Sequence, residues 1–213
     1  KDLAPLLDAQ PAANPVMDPP LNTRDVLEYI YTSGTTGMPK ATVLTHHKWV
    51  QLGYGAGGLC LTAIPEDVQY CCLPLYHHSG INIAWPTTLM HGGTFALRRK
   101  FSASNFWNDV RKYNATLCVY IGELCRYLNN QPKKDDDADN PLLYILGNGM
   151  RGDYWVEFQE RFGIERIVEV YGATEGVGGP SNIKGVRGMI GRLRPAGIRL
   201  GGVARYAQET EVM

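Results

Sequence analysis

Apolar and polar positions change period several times along the chain, and each change marks an element. Val26–Thr32 is β-branched and aromatic and predicts a strand; 41–45 predicts another, separated from the first by a glycine-rich stretch. A helix follows over 47–60, opened by His46-His47 after Thr45, then a strand over 68–73 and a helix over 80–91. Thr94–Leu97 reads as a short strand, and Ser104 as the N-cap of a helix ending near Tyr113, with Phe106, Trp107 and Val110 at helical spacing. Further strands are predicted over 116–121, 142–146 and 167–170, with helices over 123–130 and 153–162, the last closed by Gly163. Strands alternating with helices predict an α/β fold, with largely parallel sheets flanked by helices. Residues 1–25, rich in Pro and Ala, read as an irregular lead-in; 26–175 form the α/β core; 176–213 form a Gly-rich continuation. There is no internal repeat.

Candidate chemistry sits just beyond the predicted strands. Ser33-Gly34-Thr35-Thr36-Gly37-Met38-Pro39-Lys40 combines two glycines, three hydroxyls and a lysine. Glycine lets a backbone curl so that several N–H groups face one anion, and the hydroxyls and Lys40 add donors and charge. Spacing separates it from the common P-loop, because Met38-Pro39 stands between Gly37 and Lys40, Ala41 replaces the magnesium-binding hydroxyl, and a strand follows in place of a helix. Three more polar loops follow strands: Leu73-Pro74-Leu75-Tyr76-His77-His78-Ser79-Gly80, Leu146-Gly147-Asn148-Gly149-Met150, and Tyr171-Gly172-Ala173-Thr174-Glu175. All four are expected to gather at one cleft. On residue chemistry alone a solvated Gly/Ser/Thr turn, a core Tyr171 and a solvated Glu175 stay open.

Other features narrow the field. His77-His78 lacks the Cys/His spacing of a zinc site. Lys133-Lys134-Asp135-Asp136-Asp137-Ala138-Asp139-Asn140 reads as a solvated loop between Pro132 and Pro141, without the ligand spacing or glycine of a calcium loop. Lys+Arg 21 against Asp+Glu 21 leaves no net charge and no electrostatic case for nucleic acid. Five cysteines without framework spacing suggest reduced, buried thiols and a cytosol-facing protein. No apolar run reaches the length of a membrane span.

Thr32-Ser33-Gly34-Thr35-Thr36-Gly37-Met38-Pro39-Lys40 together with Tyr171-Gly172-Ala173-Thr174-Glu175 resembles the adenylate-forming acyl-CoA synthetase superfamily. Tyr29-Ile30-Tyr31, Lys100-Phe101-Ser102-Ala103-Ser104, Leu146-Gly147-Asn148-Gly149-Met150-Arg151 and the run from Tyr120 to Leu128 are similar to its fatty acid transport protein, or very-long-chain acyl-CoA synthetase, branch. The likeness covers about residues 22–190. It implies a ligase that reacts a fatty acid with ATP-Mg2+ to an acyl adenylate, then with CoA to the thioester. By the same resemblance Thr32, Ser33, Gly34, Thr35, Thr36, Gly37 and Lys40 grip the β- and γ-phosphates. Thr174 contacts the α-phosphate, and Glu175 is the magnesium ligand. Tyr171 and Gly172 lie against the adenine, bordered on the other side by Gly147, Asn148, Gly149 and Met150. His77 guards the carboxylate pocket, with His78 its neighbour.

The resemblance also implies segments not matched here: a ribose-binding acidic residue, a hinge and a small C-terminal domain with a lysine needed for adenylation. The stretch 176–202 departs from the family pattern, so a fragment of the large N-terminal domain is expected, with little turnover of its own. The parent is expected to be membrane-associated on the cytosolic face. Two alternatives stay open, an adenylating ligase for aryl or short-chain acids and a non-catalytic fatty acid binding or transport module. Acyl chain length and oligomeric state are not legible in the sequence.

Overall fold

A computed structural model of the chain describes residues 3–14, 16, 18–32, 38–174 and 179–191. The stretch expected to be an irregular lead-in contains a short helix, α1 (Ala4–Asp8), which Pro5 can enter because a first-turn N–H has no intrahelical partner to lose. Strands β1 (Val26–Thr32) and β2 (Lys40–Thr45) then form an antiparallel hairpin in which Ile30 faces Thr42 and Thr32 faces Lys40. Side-chain alternation sets its two faces: Ile30, Thr42 and Leu44 are buried, while Tyr29, Tyr31 and Val43 are exposed.

Thr45 caps helix α2 (His46–Tyr54), its hydroxyl accepting the Lys48 N–H at 3.3 Å. The chain continues as a π-helical stretch, Gly55–Leu61, where an unbroken helix over 47–60 was expected. A second π-helical stretch, Ser79–Ala84, leads into helix α3 (Trp85–His91). Glycines let these helices approach. A Cβ on Gly53 would sit 2.8 Å from Pro86, and one on Gly57 would sit 2.4 Å from the His91 ring.

Strands β3 (Val68–Cys71), β4 (Thr94–Leu97), β5 (Leu117–Ile121), β6 (Tyr144–Asn148) and β7 (Arg166–Glu169) form a wholly parallel sheet in the order β4-β3-β5-β6-β7. Helices α4 (Phe106–Lys112), α5 (Gly122–Asn129) and α6 (Gly152–Arg161) cross between its strands. Successive residues point to opposite faces. Tyr70, Cys118, Tyr120, Ile145 and Ile167 share a core with Phe106, Leu124, Trp155 and Phe158 of the three helices. Leu117, Leu146 and Val168 meet Ala56, Cys60 and Leu61 of the first π-helical stretch on the other side. A sheet covered on both faces explains why its strands read as apolar runs.

Several expected details are corrected. The residue before α4 is Asn105, not Ser104, and its side chain bonds Asp109 at 2.8 Å in place of a backbone N–H. β6 is shifted two residues beyond the expected 142–146, so Gly147 and Asn148 end the strand; they pair with Tyr120 and Ile121 of β5. Only glycine fits at 147, where a Cβ would lie 2.1 Å from the Tyr120 carbonyl oxygen. The loop 133–140 is not merely solvated. Asp137 is 7% exposed and its carboxylate accepts from Arg161 Nε at 2.7 Å. Gly163 closes α6 at φ +64°, as expected, and all five cysteines are buried thiols.

Candidate functional site

Carboxyl ends of parallel strands lie along one edge of their sheet, so the loops after β3, β6 and β7 share that edge. After β3 the chain reaches His77, exposed, with Nδ1 receiving the Ser79 N–H at 3.3 Å. His78 is half-buried, and its Nδ1 has no hydrogen-bond partner among the described residues. Burial, together with the nearby Lys48 ammonium and His77, lowers the His78 imidazole to about 4, so it is neutral near pH 7.

The β6 loop is held against the start of α5. A Cβ on Gly122 would fall 1.7 Å from the Gly149 carbonyl oxygen, and Gly149 itself takes φ +85°. Asn148 and Gly149 are exposed at this edge, while Met150 is buried. Gly149 N–H and Met150 N–H both donate to the Glu169 carboxylate, Met150 at 3.2 Å, and the Tyr120 hydroxyl is a third donor. Glu169 is 4% exposed, and burial pushes its carboxyl up against the opposing pull of those donors.

Beyond β7, Val170 bridges Ser181, and Tyr171 N–H donates to the Pro180 carbonyl at 3.0 Å, so the chain doubles back on itself. Tyr171 is 66% exposed and therefore not a core aromatic; Gly172 is also exposed and Thr174 half-buried. The Thr174 carbonyl accepts from Lys48 Nζ at 2.7 Å, a link across 126 residues from the first turn of α2. The hairpin itself is tied through Glu28 Oε1, which accepts from Asn82 Nδ2 at 2.7 Å.

The expected residues thus fall into three groups. His77, Gly147, Asn148, Gly149, Met150, Tyr171, Gly172 and Thr174 belong to loops at one sheet edge. Thr32 and Lys40 pair at the loop end of the hairpin, with Lys40 exposed. That end stands about 17 Å along β2 from Thr45, at ~3.4 Å per residue. Among the described residues, the hydrogen bond from this part of the chain to the 171–174 loop comes from Lys48. Ser33, Gly34, Thr35, Thr36, Gly37 and Glu175 lie outside the described residues. Among the described residues no group of three or more His, Cys, Asp or Glu is arranged to hold a metal ion.

Sequence reasoning passed over Lys48 and Glu169. For Glu169 a signal existed: an acid inside an apolar strand, where both faces of a parallel sheet are covered. Lys48 carried none, since a lysine in a first helical turn is unremarkable.

Residues 2–200 match the family described as AMP-binding enzyme. Over 176 residues the chain is 44% identical to the medium/long-chain-fatty-acid–CoA ligase FadD6 of Mycobacterium tuberculosis, covering 83% of this chain and 30% of that protein. It is 50% identical over 165 residues to long-chain fatty acid transport protein 2 of Rattus norvegicus, covering 77% of this chain and 26% of the relative. The chain therefore spans less than a third of the length of these curated relatives. In three dimensions it is similar to ATP-bound MatB from Rhodopseudomonas palustris, with TM-score 0.77 at 24% identity over 91% of this chain and 38% of that one. The N-terminal domain of FACL13 from Mycobacterium tuberculosis aligns with TM-score 0.72 at 23% identity, over 84% of this chain and 44% of that one. At such identities the two structures speak for the fold.

Proposed function

The chain belongs to the AMP-binding enzyme family, and from that membership we propose that the complete protein activates long-chain or very-long-chain fatty acids to acyl-CoA. A fatty acid carboxylate oxygen attacks the α-phosphorus of ATP, and the bond to the bridging oxygen breaks to release pyrophosphate. The CoA thiolate then attacks the acyl carbonyl carbon and AMP leaves. The first step brings a carboxylate onto a polyanion, so the protein's task is to offset phosphate charge and hold the nucleophile in line.

Roles are assigned accordingly. Thr32, Ser33, Gly34, Thr35, Thr36, Gly37 and Lys40 hold the β- and γ-phosphates. The Thr174 hydroxyl contacts the α-phosphate, with its own carbonyl anchored by Lys48. Tyr171, Gly172 and the loop of Gly147, Asn148, Gly149 and Met150 flank the adenine, and the exposed Tyr171 offers its ring for stacking. His77 stands at the carboxylate entry. Magnesium enters with ATP, and Glu175 is the side chain assigned to it, since one carboxylate with phosphate oxygens and waters suits that ion. The observation that carries the reading is the gathering of the 77–80, 147–150 and 171–174 loops at the carboxyl edge of a five-stranded parallel sheet.

The test is ATP–pyrophosphate exchange by the full-length protein with fatty acids of increasing chain length. Exchange should require a long-chain acid and fall at least about a hundredfold in Lys40→Ala and Glu175→Ala, in the range for lost transition-state charge stabilisation. Exchange indifferent to both substitutions overturns the assigned roles, and exchange confined to acetate- or benzoate-like acids would favour a short-acid or aryl-acid ligase. A second reading, fatty acid transport without ligation, is favoured by the transport proteins among the relatives. Retained uptake in a variant unable to form acyl-CoA would support it.

A further inference from the structure

We infer that Glu169 is the positioning residue of the nucleotide-facing edge, its buried carboxylate setting the conformation of the Gly147–Met150 loop. The inference deepens the proposed function and rests on its reading of that loop as the adenine border. Where β6 ends, the N–H groups of Gly149 and Met150 leave the strand ladder and need new acceptors. Glu169 supplies both, one from each carboxylate oxygen, and Tyr120 OH on β5 donates to the oxygen shared with Met150. The backbone is engaged as well: Val170 N–H donates to the Gly147 carbonyl at 2.8 Å, and the Glu169 carbonyl accepts from Asn182 N–H at 2.8 Å.

A single residue thus holds the 147–150 loop by its side chain and the returning segment at Asn182 by its backbone carbonyl. Packing alone does not call for an acid here. A buried carboxylate costs desolvation that an apolar side chain of similar size would avoid. What the carboxylate uniquely provides is two acceptors for two consecutive N–H groups, at a point where Gly149 is in the left-handed region and Gly122 leaves no room for the loop to shift inward. The exposed Asn148 and Gly149 are then presented at the sheet edge in one conformation.

The experiment uses the full-length protein with three variants. Glu169→Gln keeps the size but turns an amide NH2 toward one of the donors. Glu169→Asp keeps the charge and withdraws the acceptors by one methylene. Tyr120→Phe removes one donor and leaves both N–H bonds. Amide exchange of Gly149 and Met150 is followed by NMR or mass spectrometry, together with KM for ATP, fatty acid and CoA and the preference for ATP over GTP. Glu169→Gln and Glu169→Asp should lose about tenfold or more of the amide protection, matching one charge-assisted hydrogen bond. KM for ATP should rise by a similar factor and the base preference should narrow, with KM for fatty acid and CoA within about twofold of wild type. Tyr120→Phe should move the same readouts less. Unchanged protection at both amides in either Glu169 variant overturns the inference, as does a loss spread evenly over all three substrates. Wild-type protein without fatty-acid-dependent exchange would count against the proposed function instead, because the amide measurement needs no activity.

Discussion

Arg161→Met tests how firmly the acidic loop 133–140 is tied to the fold. The guanidinium donates to Asp137 Oδ2 at 2.7 Å, to the Asn129 carbonyl at 2.7 Å and to the Gln131 and Pro132 carbonyls at 3.0 Å. The paired side chains are only 6% and 10% exposed. Without the guanidinium, Asp137 would keep the Lys134 N–H at 3.0 Å and little else to offset a buried charge. Breaking a buried pair from one side costs about 3–5 kcal/mol. Asp137→Asn leaves Arg161 its three carbonyls and should cost about 1–3 kcal/mol. Lys133→Met provides the contrast, since Lys133 and Glu157 pair with 71% and 47% of their side chains exposed; that loss should stay below about 1 kcal/mol. Urea denaturation at constant m-value reads all three. The Arg161→Met, Asp137→Asn double variant should be more stable than Arg161→Met alone, because no unpaired charge remains. An Arg161→Met cost within about 1 kcal/mol of that of Lys133→Met would refute the reasoning.

Acid should unfold the protein partly through His78. Its folded value near 4 lies below the ordinary 6.5, so between those two pH values the unfolded chain takes up a proton that the folded chain refuses, and stability falls as pH falls, by at most about 3 kcal/mol. His78→Gln should flatten urea midpoints between pH 7 and 4; an unchanged slope would assign the acid dependence elsewhere. Burial, with Cys71 alongside, pushes the Cys72 thiol up to about 12, and burial holds Cys118 and Cys125 well above the usual range. A thiol reagent at pH 8 should therefore leave native protein unmodified and label five cysteines only in denaturant, while rapid native labelling would contradict the packing. Lys48→Met removes the 2.7 Å bond to the Thr174 carbonyl and a positive charge beside His78. Amides of 171–174 should then exchange faster and the His78 titration should move up; a downward move would place Lys48 elsewhere.

The polar loops of the candidate site were legible as loops after strands because their signals are local. Glycines and hydroxyls after a strand, Thr45 before a helix and Gly163 after one act through neighbours within four residues. Glu169 and Lys48 were passed over because their partners are remote: Tyr120 is 49 residues from Glu169, and Thr174 is 126 from Lys48. The same holds for Asp137, whose charge-rich surroundings read as solvated although Arg161, 24 residues away, buries it. Ser104 failed as a cap because Asn105 takes the N-cap position and turns its amide to Asp109, an acid already engaged by Tyr70 at 2.8 Å.

Hydrophobic periodicity and turn chemistry alone determined an α/β chain with two strands flanking a glycine-rich loop, parallel βαβ units and polar loops after its strands, since each such choice is made within one or two turns of backbone; that the first two strands pair antiparallel was shown by the structure. Strand order β4-β3-β5-β6-β7, the two-residue extension of β6 and the π-helical turns were decided by tertiary structure. So was the choice of which buried acids would be paired and by what. Those outcomes depend on which surfaces meet, and burial raises the cost of an unpartnered charge or N–H so far that distant residues must converge to satisfy it.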